Sequence, residues 1–297
     1  MNNKINILKQ INEFSSEFNS ETNEYAIILA AGHGKRLNSE KSKMLHTIGG
    51  IPTVERVLSA CTEGVEGINT IIVVGIKADD VINSLGKRIN NVYAYQEVQD
   101  GTGHAVQIAM EGLENIPDDA IVYILPGDMG LIDAESIKQF REEFIKSNAD
   151  MIVLIGLFEG KPEENYYGRI IRVKEEKGNV IRIMEHKDIL ALPDTEPYNV
   201  IYKEKEFSFT KEELINNIEY NSGVFAFRYG KLAEMIGELK SDNVQKEIYL
   251  TDLISLFNKN GYAVAATSPD KNYVVMGFNT QEVLAEMNEI ARKIYEK

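Results

Sequence analysis

The stretch best suited to chemistry is a run of small residues leading into a cluster of cations. It reads Leu29-Ala30-Ala31-Gly32-His33-Gly34-Lys35-Arg36-Leu37-Asn38-Ser39-Glu40-Lys41-Ser42-Lys43. Ala30, Ala31, Gly32 and Gly34 carry little or no side chain, so backbone N–H groups there can approach phosphate oxygens closely. Lys35, Arg36, Lys41 and Lys43 place four cations within nine positions, opposed by Glu40 alone. Arginine offers phosphate a planar fork and lysine a point charge. The chemistry such a loop serves is polyphosphate binding. Two better-known glycine loops do not match: the third glycine of G-x-G-x-x-G would fall at Leu37, and Gly32–Gly34 has the wrong spacing for G-x-x-x-x-G-K-[ST].

The surrounding chain has the opposite charge. Its 297 residues carry 32 Lys and Arg against 46 Asp and Glu, a net charge of −14. That balance excludes the broad basic footprint of a nucleic-acid or anionic-membrane surface, so an anionic ligand needs a local positive site. No apolar run approaches the ~20 residues of a membrane span, and the first residues lack the apolar core of a secretory signal. Cys61 is the single cysteine; it excludes an internal disulfide, fits a reducing compartment and reads as a small buried apolar residue. The expectation is a cytoplasmic protein with neither nucleic acid nor membrane as partner.

The elements that must position the loop follow from hydrophobic patterning. Apolar runs at Tyr25–Ala31, Thr70–Gly75, Val92–Tyr95, Ala120–Leu125 and Met151–Leu157 read as buried strands. Helical stretches lie between them at Pro52–Glu63, Asp79–Lys87, His104–Leu113 and Ala134–Lys146. Continuous apolar character means strands covered on both faces, hence a parallel sheet in an α/β fold. Beyond residue 157 the reading is mixed. Gly168–Val173, Val180–Met184 and Gly223–Arg228 suit strands, interrupted by the polar stretch Ile189–Tyr220. Helices at Leu250–Asn258 and Thr280–Tyr295 close the chain, with a strand near Ala263–Thr267. Ile7, Leu8, Ile11, Phe14 and Phe18 recur at helical spacing, predicting an amphipathic helix followed by a polar linker. The organisation expected is a helical extension over 1–24 and one domain over 25–297, with an insertion at about 189–220.

The loop resembles the L-A-A-G-x-G-T-R-M…P-K signature of sugar-nucleotide pyrophosphorylases. Its continuation, Lys43-Met44-Leu45-His46-Thr47, is similar to the P-K-x-L-H of the bacterial N-acetylglucosamine-1-phosphate uridylyltransferase family. Further matches follow in the family's order: Gln96–Ala105, Gly127-Asp128, Tyr167–Ile170, Glu185–Asp188, Asn221–Gly223, Glu247–Asp252 and Asn279. The resemblance covers residues 25–290. It implies a Rossmann-like mixed, mostly parallel sheet flanked by helices, and a reaction in which a nucleoside triphosphate and a sugar 1-phosphate give a UDP-sugar and pyrophosphate. The attacking phosphate oxygen is already ionised, so catalysis should consist of alignment and charge neutralisation, with no catalytic His or Ser.

The resemblance also assigns roles. Arg36 and Lys43 become phosphate clamps, and Leu29, Ala30, Ala31, Gly32, Gly34 and Lys35 line the nucleotide. Asp128 and Asn279 become Mg2+ ligands, two protein ligands being usual for an ion that keeps its waters. Gln96 and the backbone at Gly101 read the uracil edge, where a primary amide can both donate and accept, with Thr102 beside nucleotide or sugar. Gly168, Glu185 and Asn221 contact the sugar; Lys187 is a weaker phosphate candidate. His33, His46, His104 and His186 have no zinc-ligand spacing and read as hydrogen-bonding scaffold.

Three features depart from the family. Pro126 stands where a tyrosine usually precedes Gly-Asp, and Gly130 replaces a proline. Ile189–Tyr220, with Tyr198, Tyr202, Phe207 and Phe209, exceeds the family's connection and suits either a lid or a homo-oligomer contact. No hexapeptide β-helix pattern is present, so acetyl transfer is not expected. The alternatives are the same transfer with another sugar phosphate or with dTTP or CTP, and a non-catalytic sensor that kept the fold; the intact Arg36, Lys43, Asp128 and Asn279 set argues against the latter.

Overall fold

Every residue of Asn69–Val74 is buried, and the five β-branched side chains in a row that follow Asn69 can satisfy that only as a strand covered on both faces. A computed structural model, which describes residues 2–32, 34–37, 39–173 and 179–295 (the side chains of residues 2, 3 and 35 apart), shows how such strands assemble. In chain order the strands are β1 (Glu24–Ala30), β2 (Thr47–Ile48), β3 (Ile51–Pro52), β4 (Asn69–Val74), β5 (Asn91–Tyr95), β6 (Ile121–Pro126), β7 (Met151–Leu157), β8 (Arg169–Arg172), β9 (Val180–Met184), β10 (Tyr198–Tyr202), β11 (Lys205–Phe209), β12 (Glu219–Arg228) and β13 (Val264–Thr267). The helices are α1 (Asn2–Phe14), α2 (Thr53–Gly64), α3 (Ala78–Leu85), α4 (Thr102–Met110), α5 (Ala134–Ser147), α6 (His186–Ala191), α7 (Lys211–Asn216), α8 (Tyr229–Met235), α9 (Leu253–Lys259) and α10 (Gln281–Tyr295).

The main sheet runs β13-β7-β12-β6-β1-β4-β5, with β8 and β9 branching from β12. β1 pairs parallel with both β4 and β6, β4 with β5, and β13 with β7. β12 is antiparallel to β6 and β7. The sheet is mixed and mostly parallel along this path, as expected. Strand alternation sorts the core into two faces. Ala26, Ile28 and Ala30 face one apolar cluster with Val57, Leu58, Ile82 and Phe140 of α2, α3 and α5. Tyr25 and Ile27 face another with Val106, Leu232 and Phe257 of α4, α8 and α9.

The N-terminal helix stops at Phe14, short of Phe18. Ile7 is buried in the first cluster and Ile11 and Phe14 pack against it, whereas Leu8 stays exposed. Phe18, past the helix, meets Tyr25 edge-on at 5.6 Å. The segment between them covers the open side of β5: Ser16 N donates to Asn91 O at 2.8 Å, and Asn91 N and Tyr93 N donate to Ser16 Oγ and Ser15 Oγ. An otherwise unpaired strand edge is thereby satisfied.

The 189–220 stretch is ordered rather than merely polar. β10 and β11 form an antiparallel hairpin between α6 and α7. Tyr198, Val200, Tyr202, Phe207 and Phe209 pack on a small core with Ile171, Ile181, Met184 and Ile189, on the β8–β9 branch. The period-2 spacing of those side chains carried the strand signal, which the charged run Lys203-Glu204-Lys205-Glu206 between the two sets masks in composition. Among the described residues no helix is long and apolar enough to cross a membrane.

Where β7 meets β12, a Cβ on Gly156 would lie 2.0 Å from Tyr220 Cζ. Gly156→Ala is therefore expected to displace a buried ring and lower unfolding free energy by about 2–3 kcal/mol, read from the urea midpoint. An unchanged midpoint would show that Tyr220 yields freely.

Candidate active site

Parallel strands end together, and the loops leaving their carboxyl ends share one crevice. The glycine-rich segment follows β1, Gln96 follows β5 and Gly127-Asp128 follow β6. Gly127 N donates to Leu29 O at 2.9 Å and Gln96 N to Val74 O at 2.8 Å, so all three loops start from one ladder. Between them and the β9–β12 side lies a cleft of about 760 Å3.

Leu29, Ala31, Gly32, Gly34, Arg36, Gln96, Gly101, Thr102, Asp128, Glu185, Asn221 and Asn279 all line this cleft. Ala30 does not: β1 alternation turns it into the core, where it is 1% exposed. The Lys35 side chain and His33 lie outside the described residues. Lys41 is exposed, and Lys187, also exposed, donates to Gln245 Oε1 at 2.5 Å rather than lining the cleft.

Three of the predicted residues touch. Lys43 is ion-paired with Asp128, and its ammonium donates to Asn279 Oδ1 at 2.7 Å. The Lys43 and Asp128 side chains are 10% and 12% exposed. Lys43 sits in a buried single turn, Lys43–Leu45, held down where Thr53 donates to Met44 O at 3.1 Å. Gly34 has φ +63 and a Cβ there would lie 2.9 Å from Lys43 Cβ, so the loop crosses directly over the lysine stem.

At the β5 end, Gln96 is buried and its Nε2 donates to Gly101 O at 3.1 Å, with His104 Nδ1 at 3.3 Å. Gly101 has φ +101, and a Cβ would fall 2.4 Å from Ile248 O. That close approach permits Ile248 N to bond Asp100 O at 2.9 Å and Gly103 N to bond Ile248 O at 2.8 Å. Leu250 N donates to Thr102 Oγ1. These bonds bring Gln245, Glu247, Tyr249 and Thr251 into the cleft wall. The Glu247–Asp252 run signals this segment in sequence without indicating which of its side chains face inward.

On the far wall β12 shifts register between Asn221 and Val224. Gly223 N donates to Asn221 Oδ1 at 2.9 Å, and Asn221 N to Gly168 O at 2.8 Å. At φ +84 a Cβ on Gly223 would meet Pro126 Cγ at 2.8 Å, so the proline that departs from the family pattern packs on this bulge. Gly168 lies against Glu185, whose Oε1 would be 3.0 Å from an added Cβ. Tyr167 stacks on Tyr220 at 4.4 Å and donates to Gly277 O at 3.4 Å, joining this wall to the Asn279 segment. Of the remaining histidines, His46 meets Phe278 edge-on at 6.0 Å and Tyr166 does the same to His186 at 5.3 Å.

Burial pushes the Glu185 carboxyl up to about 7, helped by the Asp188 and Asp252 charges, while a hydrogen bond from Thr251 works the other way. Burial likewise raises Asp252, against the opposing charge of Arg182. Glu185, Asp188, Asp252 and Arg182 also line a second cavity of about 600 Å3 behind the first.

Residues 26–169 match the model of the MobA-like NTP transferase domain. Over nine tenths of its length the chain is similar to GlmU proteins. It is 35% identical over 268 residues to the "Bifunctional protein GlmU" of Acetivibrio thermocellus, covering 90% of this chain and 51% of that protein. The GlmU of Lactococcus lactis subsp. lactis is 34% identical over 271 residues, covering 91% and 52%. The chain thus spans about half the length of the curated relatives it matches. A UDP-glucose pyrophosphorylase complexed with UDP-glucose shares the fold with a TM-score of 0.64 at 16% identity, over 92% of this chain and 98% of that one. A putative glucose-1-phosphate thymidylyltransferase from Bacillus anthracis does so with a TM-score of 0.62 at 20% identity, over 91% and 95%.

Glu185 yields a pH prediction. With its folded pKa near 7 against an ordinary 4.5, it binds a proton more tightly folded than unfolded. Wild-type stability relative to Glu185→Gln should be greatest below pH ~4.5 and decline as pH rises toward ~7, by on the order of 3 kcal/mol. Paired urea titrations between pH 4.5 and 8 measure it; a difference independent of pH removes the assignment.

Proposed function

We propose that the protein is a sugar-1-phosphate nucleotidyltransferase, joining UTP to N-acetylglucosamine 1-phosphate with release of pyrophosphate. A non-bridging phosphate oxygen of the sugar attacks the α-phosphorus of the nucleotide. The bond from that phosphorus to the β-phosphate oxygen breaks, and pyrophosphate leaves with the electron pair. No proton has to move, so the protein's task is to bring two anions into line.

The observation that carries this reading is the meeting of buried Lys43 with Asp128 and Asn279, two residues of the cleft that Arg36, Gln96, Glu185 and Asn221 also line. Arg36 is exposed there beside Gly32 and Gly34, suited to grip the triphosphate with its planar fork. Gln96 has its amide nitrogen engaged at Gly101 and His104, leaving the carbonyl oxygen for a base. Uracil and thymine present an N3–H to such an acceptor; cytosine presents a lone pair, which disfavours CTP. Glu185 and Asn221 offer a carboxylate and an amide to sugar hydroxyls and the N-acetyl group. The GlmU relatives support the acceptor assigned here.

The donor set suits Mg2+. A carboxylate and a carboxamide oxygen converge on one cationic centre, now the Lys43 ammonium. Among the described residues no cluster of three or more His, Cys, Asp or Glu offers an alternative cage. Asp128 and Asn279 would hold the ion; when bound it neutralises charge on the phosphates. A cytoplasmic setting fits Cys61, buried, with its thiol pushed up to about 12 by desolvation.

The test is pyrophosphate release across five nucleoside triphosphates and a panel of sugar 1-phosphates. UTP with N-acetylglucosamine 1-phosphate should give the highest kcat/KM; UTP binding without turnover on any acceptor would point to a sensor instead. Arg36→Ala should lower kcat by about 10²–10³, the scale for one charge-stabilising donor. An unchanged kcat would mean the guanidinium stays in solvent.

A further inference from the structure

The ammonium of Lys43 stands on the two oxygens that the reading above gives to a divalent cation, and the present inference rests on that reading. It is ion-paired with Asp128, hydrogen-bonded to Asn279 at 2.7 Å and 5.5 Å from the Phe278 ring centroid. The two charged side chains are only 10% and 12% exposed, whereas Asn279 faces the open cleft. A carboxylate so enclosed needs a counter-charge at all times, because an unpaired buried charge is strongly disfavoured.

We propose that Lys43 is the resident counter-ion of the Asp128–Asn279 pair, and that lysine and divalent cation occupy it in turn. Two cations on the same little-exposed carboxylate repel strongly, so the metal enters as the ammonium leaves. A lysine on a flexible four-carbon stem can make that move. Its stem lies directly beneath Gly34, so a short swing carries the ammonium to the glycine loop, where a triphosphate supplies replacement oxygens. The consequence is coupling: the free protein binds the metal weakly, and nucleotide binding opens the metal site by drawing Lys43 away. Lys43 therefore has two successive partners, the acid first and the phosphate second.

Mn2+ is the probe, its free concentration counted by electron paramagnetic resonance during titration of the whole chain without nucleotide. Lys43→Met and Lys43→Gln should each bind Mn2+ at least about tenfold more tightly than wild type, while Lys43→Arg, which keeps the charge, stays within about threefold. Asp128→Asn should abolish binding in the Lys43→Met background. Equal or weaker Mn2+ binding by both neutral variants overturns the proposal. A second readout uses wild type alone: acetylation of lysine amines, followed by mass spectrometry, should find Lys43 protected without metal and several-fold more reactive under saturating Mn2+. Unchanged reactivity also overturns it. Neither measurement needs turnover, so failure of the nucleotidyl-transfer reading appears in the pyrophosphate assay and failure of this one in the Mn2+ data.

Discussion

An acidic protein proposed to bring two phosphorylated reactants together needs a positive site against its own field, and here that requirement converges on Lys43. The ammonium meets Asp128 from the loop after β6 and Phe278 and Asn279 from the segment before α10. A buried ion pair contributes little net stability, yet removing one partner typically costs about 3–5 kcal/mol because a bare charge remains. The Lys43–Asp128 pair is thus better understood as a constraint on the cleft than as a source of stability. It ties the loop after β1 to the loop after β6 and, through Asn279, to the segment leading into α10.

The other wall is organised by close backbone approach instead of charge. Gly101 admits the Ile248 backbone, Gly223 admits Pro126 and Gly168 admits the Glu185 carboxylate. In each case a Cβ would stand where a neighbour already is. The Tyr167–Tyr220 stack and the Tyr167 contact to Gly277 then carry this wall across to the Asp128 side. Both walls of the cleft are therefore mechanically continuous, which suits the alignment that the proposed reaction demands.

The β10–β11 hairpin sits behind this arrangement. It packs on β8 and β9, immediately before Glu185, and Arg182 of β9 hydrogen-bonds the Tyr198 hydroxyl. Its aromatic residues are turned toward that small core, while Ile201 on the outer face is 76% exposed. The hairpin therefore braces the strand that delivers Glu185 rather than folding over the cleft among the described residues.

Much of this was legible in the chain itself. Uninterrupted aliphatic runs specify strands buried on both faces, because no other local conformation hides consecutive side chains, and so β1, β4, β6 and β7 were readable within a residue or two. The small residues and cations at 29–43 pointed to phosphate chemistry from local sequence alone, and that reading stands as the proposal. Tertiary structure decided what depends on distance in sequence. That β12 runs antiparallel between β6 and β7 follows from the connection through β8–β11, and composition does not encode direction. Ala30 left the cleft because strand alternation, not residue type, selects a face. The contact of Lys43 with Asn279 spans 236 positions. The rise of the Glu185 carboxyl toward 7 comes from neighbours and exclusion of water that exist only once the chain is folded. Residue type sets what a side chain can do; burial and company determine which of those things it does.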